Sequence, residues 1–208
     1  MPPVSALSRA VCALLLVCGC VPAAWGDHRD AFIRLSKKDG RFALDVRETL
    51  PGPFAKLRPI LADFAGYPAW MLKDINARPG KPGKKFFFDV TSLRYEPAGS
   101  YFSAGIRLNA FFGGDYRMDM NVLDEFAAPE PKLTTSLRKA SMLVVEMSGD
   151  FRFADVPGTA ETRVVFHGEA RTHWVFYYLL PLSVLRENVE ERVGILIDNF
   201  HGKATEKR

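Results

Sequence analysis

The chain has 208 residues, 48% of them hydrophobic and 25% charged, which is the composition of an ordinary globular domain and not of a disordered one. Its net charge of +4 is spread along the sequence, so nucleic acid is not an expected partner. The three cysteines (Cys12, Cys18, Cys20) all precede residue 27, so a chain cleaved there has no disulfide, thiol nucleophile or cysteine-bound zinc.

Residues 1–26 read as a signal peptide. Arg9 is the first charge, Ala10 to Val17 are apolar, and Ala24-Trp25-Gly26 puts small residues where a signal peptidase reads. The apolar run is too short to span a bilayer, which takes about 20 residues. Val17-Cys18-Gly19-Cys20 loosely resembles a lipobox. The mature protein is therefore expected to be periplasmic or secreted, with lipid anchoring through Cys20 as the alternative. Residues 27–208 then form one domain.

A hairpin is predicted over 31–47, turning at Asp39-Gly40, with Phe42, Leu44 and Val46 on its buried face. From Phe54 to Phe64 the apolar spacing becomes helical. Pro59 is expected to split this stretch into two short helices, and Gly66 and Pro68 to end it. Arg78 to Lys85 is rich in Lys, Pro and Gly and reads as a solvated basic loop, with attraction to an anionic membrane as the lesser reading.

Alternating strands follow. Tyr116, Met118, Met120 and Val122 share a face, as do Val145, Met147, Gly149, Phe151 and Phe153. Val164, Phe166, Gly168, Ala170, Thr172 and Trp174 make a third inward set. Weaker strands are expected near 71–77, 86–95, 101–111 and 133–139. Half-polar strands of this kind belong to an antiparallel sheet with one wet face.

Pro181 opens a long amphipathic helix on Leu182, Leu185, Val189, Val193, Leu196 and Phe200, with Glu187, Glu190 and Glu191 elsewhere on the wheel and Gly202 expected at its end. The apolar run Trp174 to Leu180 before it reads as the buried end of the last strand. A portal touching a membrane is the alternative.

No motif calls for a metal, a cofactor or a nucleophile. His167-x-Glu169-x-Arg171-x-His173 reads as a solvated strand face, since metal ligands normally converge from several elements. Asp89, Arg94, Tyr95 and Arg107 lie on strands of ambiguous register and are candidates to point inward.

The order of strand, short helix pair, Asp63-Phe-Ala-Gly-Tyr67-Pro68-Ala-Trp70, β run and terminal helix resembles the START-like (SRPBCC) superfamily, which includes polyketide cyclases and coenzyme Q-binding proteins. Thr162-Arg163-Val164 fits the same pattern, and the resemblance covers roughly residues 41–205. It implies an α+β helix-grip fold. A curved antiparallel sheet of about seven strands wraps one long C-terminal helix, and two short helices follow the first strand.

It also implies a ligand space between sheet and helix. The residues expected to line it are Trp70, Phe102, Ile106, Met118, Met120, Met147, Phe151, Phe166, Ala170, Leu185, Val189, Val193 and Leu196. Gly149, Gly168 and Ala170 are expected to leave room beneath the helix, and thioethers adapt to apolar ligands. In the motif, Asp63 reads as a local backbone cap, Tyr67-Pro68 as an extended turn, and Trp70 as a plug at the sheet's end or a lining of the cavity mouth. The expected function is to bind or carry a hydrophobic small molecule (lipid, sterol, quinone or polyketide-like), with transient membrane contact. The alternative is a cyclase or aromatase acting on a polyketide-like substrate.

Overall fold

The computed structural model describes residues 31–77, 86–109, 113–141 and 143–206. The signal peptide, the Cys20 lipobox and the basic loop 78–85 lie outside the described residues. Eight strands form one antiparallel sheet in the order β1-β2-β8-β7-β6-β5-β4-β3. They are β1 (Phe32–Lys38), β2 (Arg41–Pro51), β3 (Phe88–Glu96), β4 (Tyr101–Leu108), β5 (Gly114–Asp124), β6 (Lys132–Leu137), β7 (Val144–Asp155) and β8 (Glu161–Thr172). The first hairpin closes at Asp39 and Gly40, both at positive φ, as its tight turn requires. It adds β1 outside β2, so the sheet has one strand more than the expected seven or so.

Two short helices, α1 (Phe54–Ala62) and α2 (Tyr67–Met71), follow β2, and α3 (Trp174–Leu179) and α4 (Leu182–Thr205) follow β8. The 24-residue α4 lies along the concave face of the sheet. Core side chains alternate along each strand, as at Phe42, Leu44, Val46 and Leu50, and meet Leu185, Val189, Val193, Leu196 and Phe200 from the helix.

Polar bonds hold α4 at both edges of the sheet. Arg186 Nη2 donates to the Leu35 carbonyl on β1 at 3.2 Å. At the opposite edge, Asn188 Oδ1 accepts the Phe87 N–H at 2.6 Å. Arg192 is fully buried. Its Nε donates to the Ile75 carbonyl at 3.0 Å, and Nη2 donates to the Phe88 carbonyl. The guanidinium also stands 3.9 Å from the Phe86 ring centre.

Several expectations change. Pro59 lies inside a continuous α1, on its exposed side, and the second helix begins only at Tyr67. Tyr67 is helical and not an extended turn, because Pro68 stands in the first turn, where no N–H is needed. Residues 72–76 form turns and not a strand. Asn76 brackets Val90 there, donating to its carbonyl at 2.7 Å and accepting its N–H at 2.9 Å. A bulge between Val144 and Glu146 hands the inward place from Val145 to Val144.

The run after β8 is a helix and not a buried strand end. Trp174, assigned inward, is 67% exposed and Tyr178 75%. His173 leaves the polar row to stand at the N-terminal cap of α3. Glu191, assigned to the wet side of α4, is buried, and α4 runs past Gly202 to Thr205.

Candidate functional site

Among the described residues, apolar cavities lie under α4. One, of about 110 Å³, is bounded by β2, β6, β7, β8, α2 and the C-terminal half of α4. Val46, Leu50, Leu133, Phe151, Phe153, Val164 and Phe166 form its floor. Leu61, Tyr67, Trp70 and Met71 close one side, and Val193, Leu196, Ile197 and Phe200 form the roof. Two smaller spaces, of about 70 and 50 Å³, lie toward the start of α4.

Of the residues expected to line a ligand space, Trp70, Phe151, Phe166, Val193 and Leu196 meet around the first cavity. Ile106, Met118 and Leu185 line the second, and Met147, Ala170 and Leu185 the third. Phe102, Met120 and Val189 are buried but line none of these three spaces. Phe102 sits among Phe64, Tyr67 and Tyr95, with ring centres 5.1–5.9 Å apart. The predicted set is thus divided among three spaces and the core.

Trp70 lines the cavity and does not plug the sheet's end. Its ring meets Tyr67 and Phe200 at 5.2 and 5.6 Å. Gly168 leaves no room beneath the helix. Phe166 folds over it, and a Cβ there would lie 2.4 Å from Phe166 Cζ. Asp63 caps locally, its Oδ1 accepting the Gly66 N–H at 3.1 Å. Of the four polar candidates, only Tyr95 packs against the core. Arg94 pairs with Glu96 and Arg107 with Asp115 on the outer face, while Asp89 lies 3.8 Å from Arg192 at the sheet edge.

The cavity holds a carboxylate that the sequence reading passed over. Glu48 continues the inward alternation of Phe42, Leu44 and Val46 and is only 7% exposed. Its Oε1 accepts the Thr49 N–H at 2.9 Å and lies 3.7 Å from His201 Nε2 on α4. Among the described residues, its Oε2 has no hydrogen-bond partner. The signal was legible: a charge at an inward position of a strand whose period was already clear. The predicted hairpin ends at Arg47, whereas β2 runs on through Glu48 to Pro51.

The other polar group on the wall is self-contained. Tyr67 donates its hydroxyl to the Leu61 carbonyl at 2.5 Å. Burial, with Asp63 and Asp124 nearby, pushes its phenol well above the ordinary tyrosine range. Among the described residues, no cluster of three or more His, Cys, Asp or Glu could hold a metal. Nor is any helix there long and apolar enough to cross a membrane. The outer row is a web of exposed ion pairs: His167 Nδ1 meets Asp45 at 2.7 Å, and Glu146 takes Arg171 and Arg41 at 2.5 and 3.0 Å.

No family model and no curated protein matches the chain. Solved structures do. A START superfamily protein from Mycobacterium smegmatis is 14% identical at a TM-score of 0.47, over 78% of this chain and 96% of that one. A STAR-related lipid transfer protein from Xanthomonas axonopodis is 12% identical at 0.49, over 88% and 97%. The di-domain aromatase/cyclase BexL of the BE-7585A biosynthetic pathway is 12% identical at 0.49, over 81% of this chain. The chain spans about half of its length (51%). Strand order, the paired short helices after β2 and the long terminal helix against the sheet give this chain a helix-grip fold.

Proposed function

We propose that the protein binds a hydrophobic small molecule between the sheet and the C-terminal half of α4. The observation that carries this reading is the cavity of about 110 Å³, walled almost wholly by aliphatic and aromatic side chains. Removal of apolar surface from water drives the binding, at about 25 cal/mol per Å². A cavity of this size lies below the ~300–1,000 Å³ of drug-sized pockets. A lipid, sterol, quinone or polyketide-like ligand therefore requires α4 to lift from the floor. The exposed side chains of Trp174, Tyr178 and Leu179 beside the start of α4 suit transient contact with a membrane during that opening.

Export belongs to the same proposal: cleavage before Asp27 delivers the domain to the periplasm or the medium. Mass spectrometry of protein recovered from its native host tests both parts. An intact mass starting at Asp27 and a near-stoichiometric apolar co-purifying molecule are the expected results. A ligand-free protein that binds nothing in a lipid, sterol and quinone screen overturns the binding reading.

One observation favours a second reading. Glu48 and His201, 3.7 Å apart, are of the types used in general acid–base catalysis, as a cyclase or aromatase would need. Turnover of a polyketide-like substrate that is lost in Glu48→Gln would establish it.

A further inference from the structure

Glu48 lines an apolar cavity, with Oε1 held by the Thr49 N–H and 3.7 Å from His201 Nε2, and with Oε2 lacking a hydrogen-bond partner among the described residues. The inward positions on either side of it on β2 are Val46 and Leu50, and an apolar residue would complete the row. Burial of a polar atom without a partner costs about 1–3 kcal/mol, and more for a charged group. Asn188 and Arg192, also buried, reach main-chain atoms of Phe87, Ile75 and Phe88. Glu48 Oε2 reaches none.

We infer that Glu48 Oε2 is a ligand-binding atom and that the ligand is an apolar alcohol or phenol whose hydroxyl donates to it. This inference deepens the binding reading above and rests on it. A carboxyl oxygen without a partner accepts a hydrogen bond, so a ligand that completes it brings a donor. The rest of the wall is mostly hydrocarbon, including Phe151, Phe153 and Phe200; the Tyr67 hydroxyl is taken by the Leu61 carbonyl, and the Trp70 indole N–H donates and does not accept. A carboxylate ligand would face Glu48 as a like charge. An ammonium ligand would lose its hydration to an apolar wall and stand beside the His201 imidazole. A single neutral hydroxyl meets the one demand the cavity makes.

The space fixes the probe. A cavity of about 150 Å³ takes up benzene, and this one, at about 110 Å³, admits a single ring with small shifts of flexible neighbours such as Met71 and Ile197. The pair 4-methylphenol and 1,4-dimethylbenzene differs only in hydroxyl against methyl. Titration of both, followed by amide NMR shifts, into wild type, Glu48→Leu and Glu48→Gln separates the hydroxyl contribution from the apolar one.

A hydrogen bond to a charged group is worth about 1.5–3 kcal/mol. The expected result is therefore a loss of about tenfold or more in 4-methylphenol affinity in Glu48→Leu, with 1,4-dimethylbenzene unchanged or tighter. Glu48→Gln keeps the shape and an acceptor without the charge, so its loss is smaller. It also serves as the reference should Glu48→Leu fold poorly. Equal affinity of wild type and both variants for 4-methylphenol overturns the role of Glu48 while leaving the apolar site standing. Failure of both probes to bind wild type overturns the inference as well, and the co-purified molecule then decides the broader reading by itself.

Discussion

The two halves of α4 cover buried polar groups that touch different things. Under the first half, Asn188 and Arg192 reach across to the main chain of Phe87, Phe88 and Ile75, and Asn76 in turn brackets Val90. These bonds fasten the helix to an edge of the sheet. Under the second half, Glu48 lies in an apolar cavity with one oxygen unpartnered. Both regions are interior and both contain ionisable groups. The first set bonds helix to main chain and fastens the fold, and the second is the one proposed above as an anchor for a ligand.

Mutation of each half should move stability in opposite directions. Arg192→Ala strips the donors from the Ile75 and Phe88 carbonyls and removes the cation from the Phe86 ring, so a loss of about 3 kcal/mol or more is expected in urea denaturation. A loss below ~1 kcal/mol would make the clamp incidental.

Glu48→Leu should do the reverse and raise stability by about 1 kcal/mol, because it replaces an incompletely bonded buried charge with an apolar side chain. Destabilisation would show that Glu48 is held within the protein and is structural after all. Val193→Leu adds one methylene toward the 110 Å³ cavity and should stabilise by about 0.5 kcal/mol while weakening 1,4-dimethylbenzene binding. Unchanged binding would place the ligand elsewhere.

The outer face supplies the smallest effect. The bond to Arg171, with Arg41 adding to it, holds the Glu146 carboxyl below the ordinary glutamate range. A depressed folded value means that the stabilisation is present above the unfolded pKa and is lost as pH falls through the folded one. Glu146→Gln should therefore lower the melting temperature slightly near pH 7 and not at all in strong acid. A difference that persists in acid would assign the effect to packing and not to charge.

Local pattern carried most of the fold. Alternation in β5, β7 and β8 and the three-four spacing of α4 follow from periods of 2 and 3.6, which a sequence displays directly. Errors arose where a neighbour overrode the pattern. Residues 72–76 turn because Asn76 is tied to Val90, which belongs to another strand. The run after β8 becomes α3, although its apolar content equally suits a buried strand end. Val145 lost its inward place to a bulge that alternation cannot announce.

For the site, the sequence by itself determined which faces are apolar, that α4 covers them, and that β2 carries a charge in its inward row at Glu48. Only the tertiary structure decided that Phe166 fills the space over Gly168, that Met120 and Val189 are buried away from the described cavities, and that one cavity places Glu48 beneath Val193 and Phe200. Periodicity sets the direction of a side chain from its own backbone. Whether that direction ends in another side chain or in empty space depends on elements far away in the chain, and close packing makes that choice residue by residue.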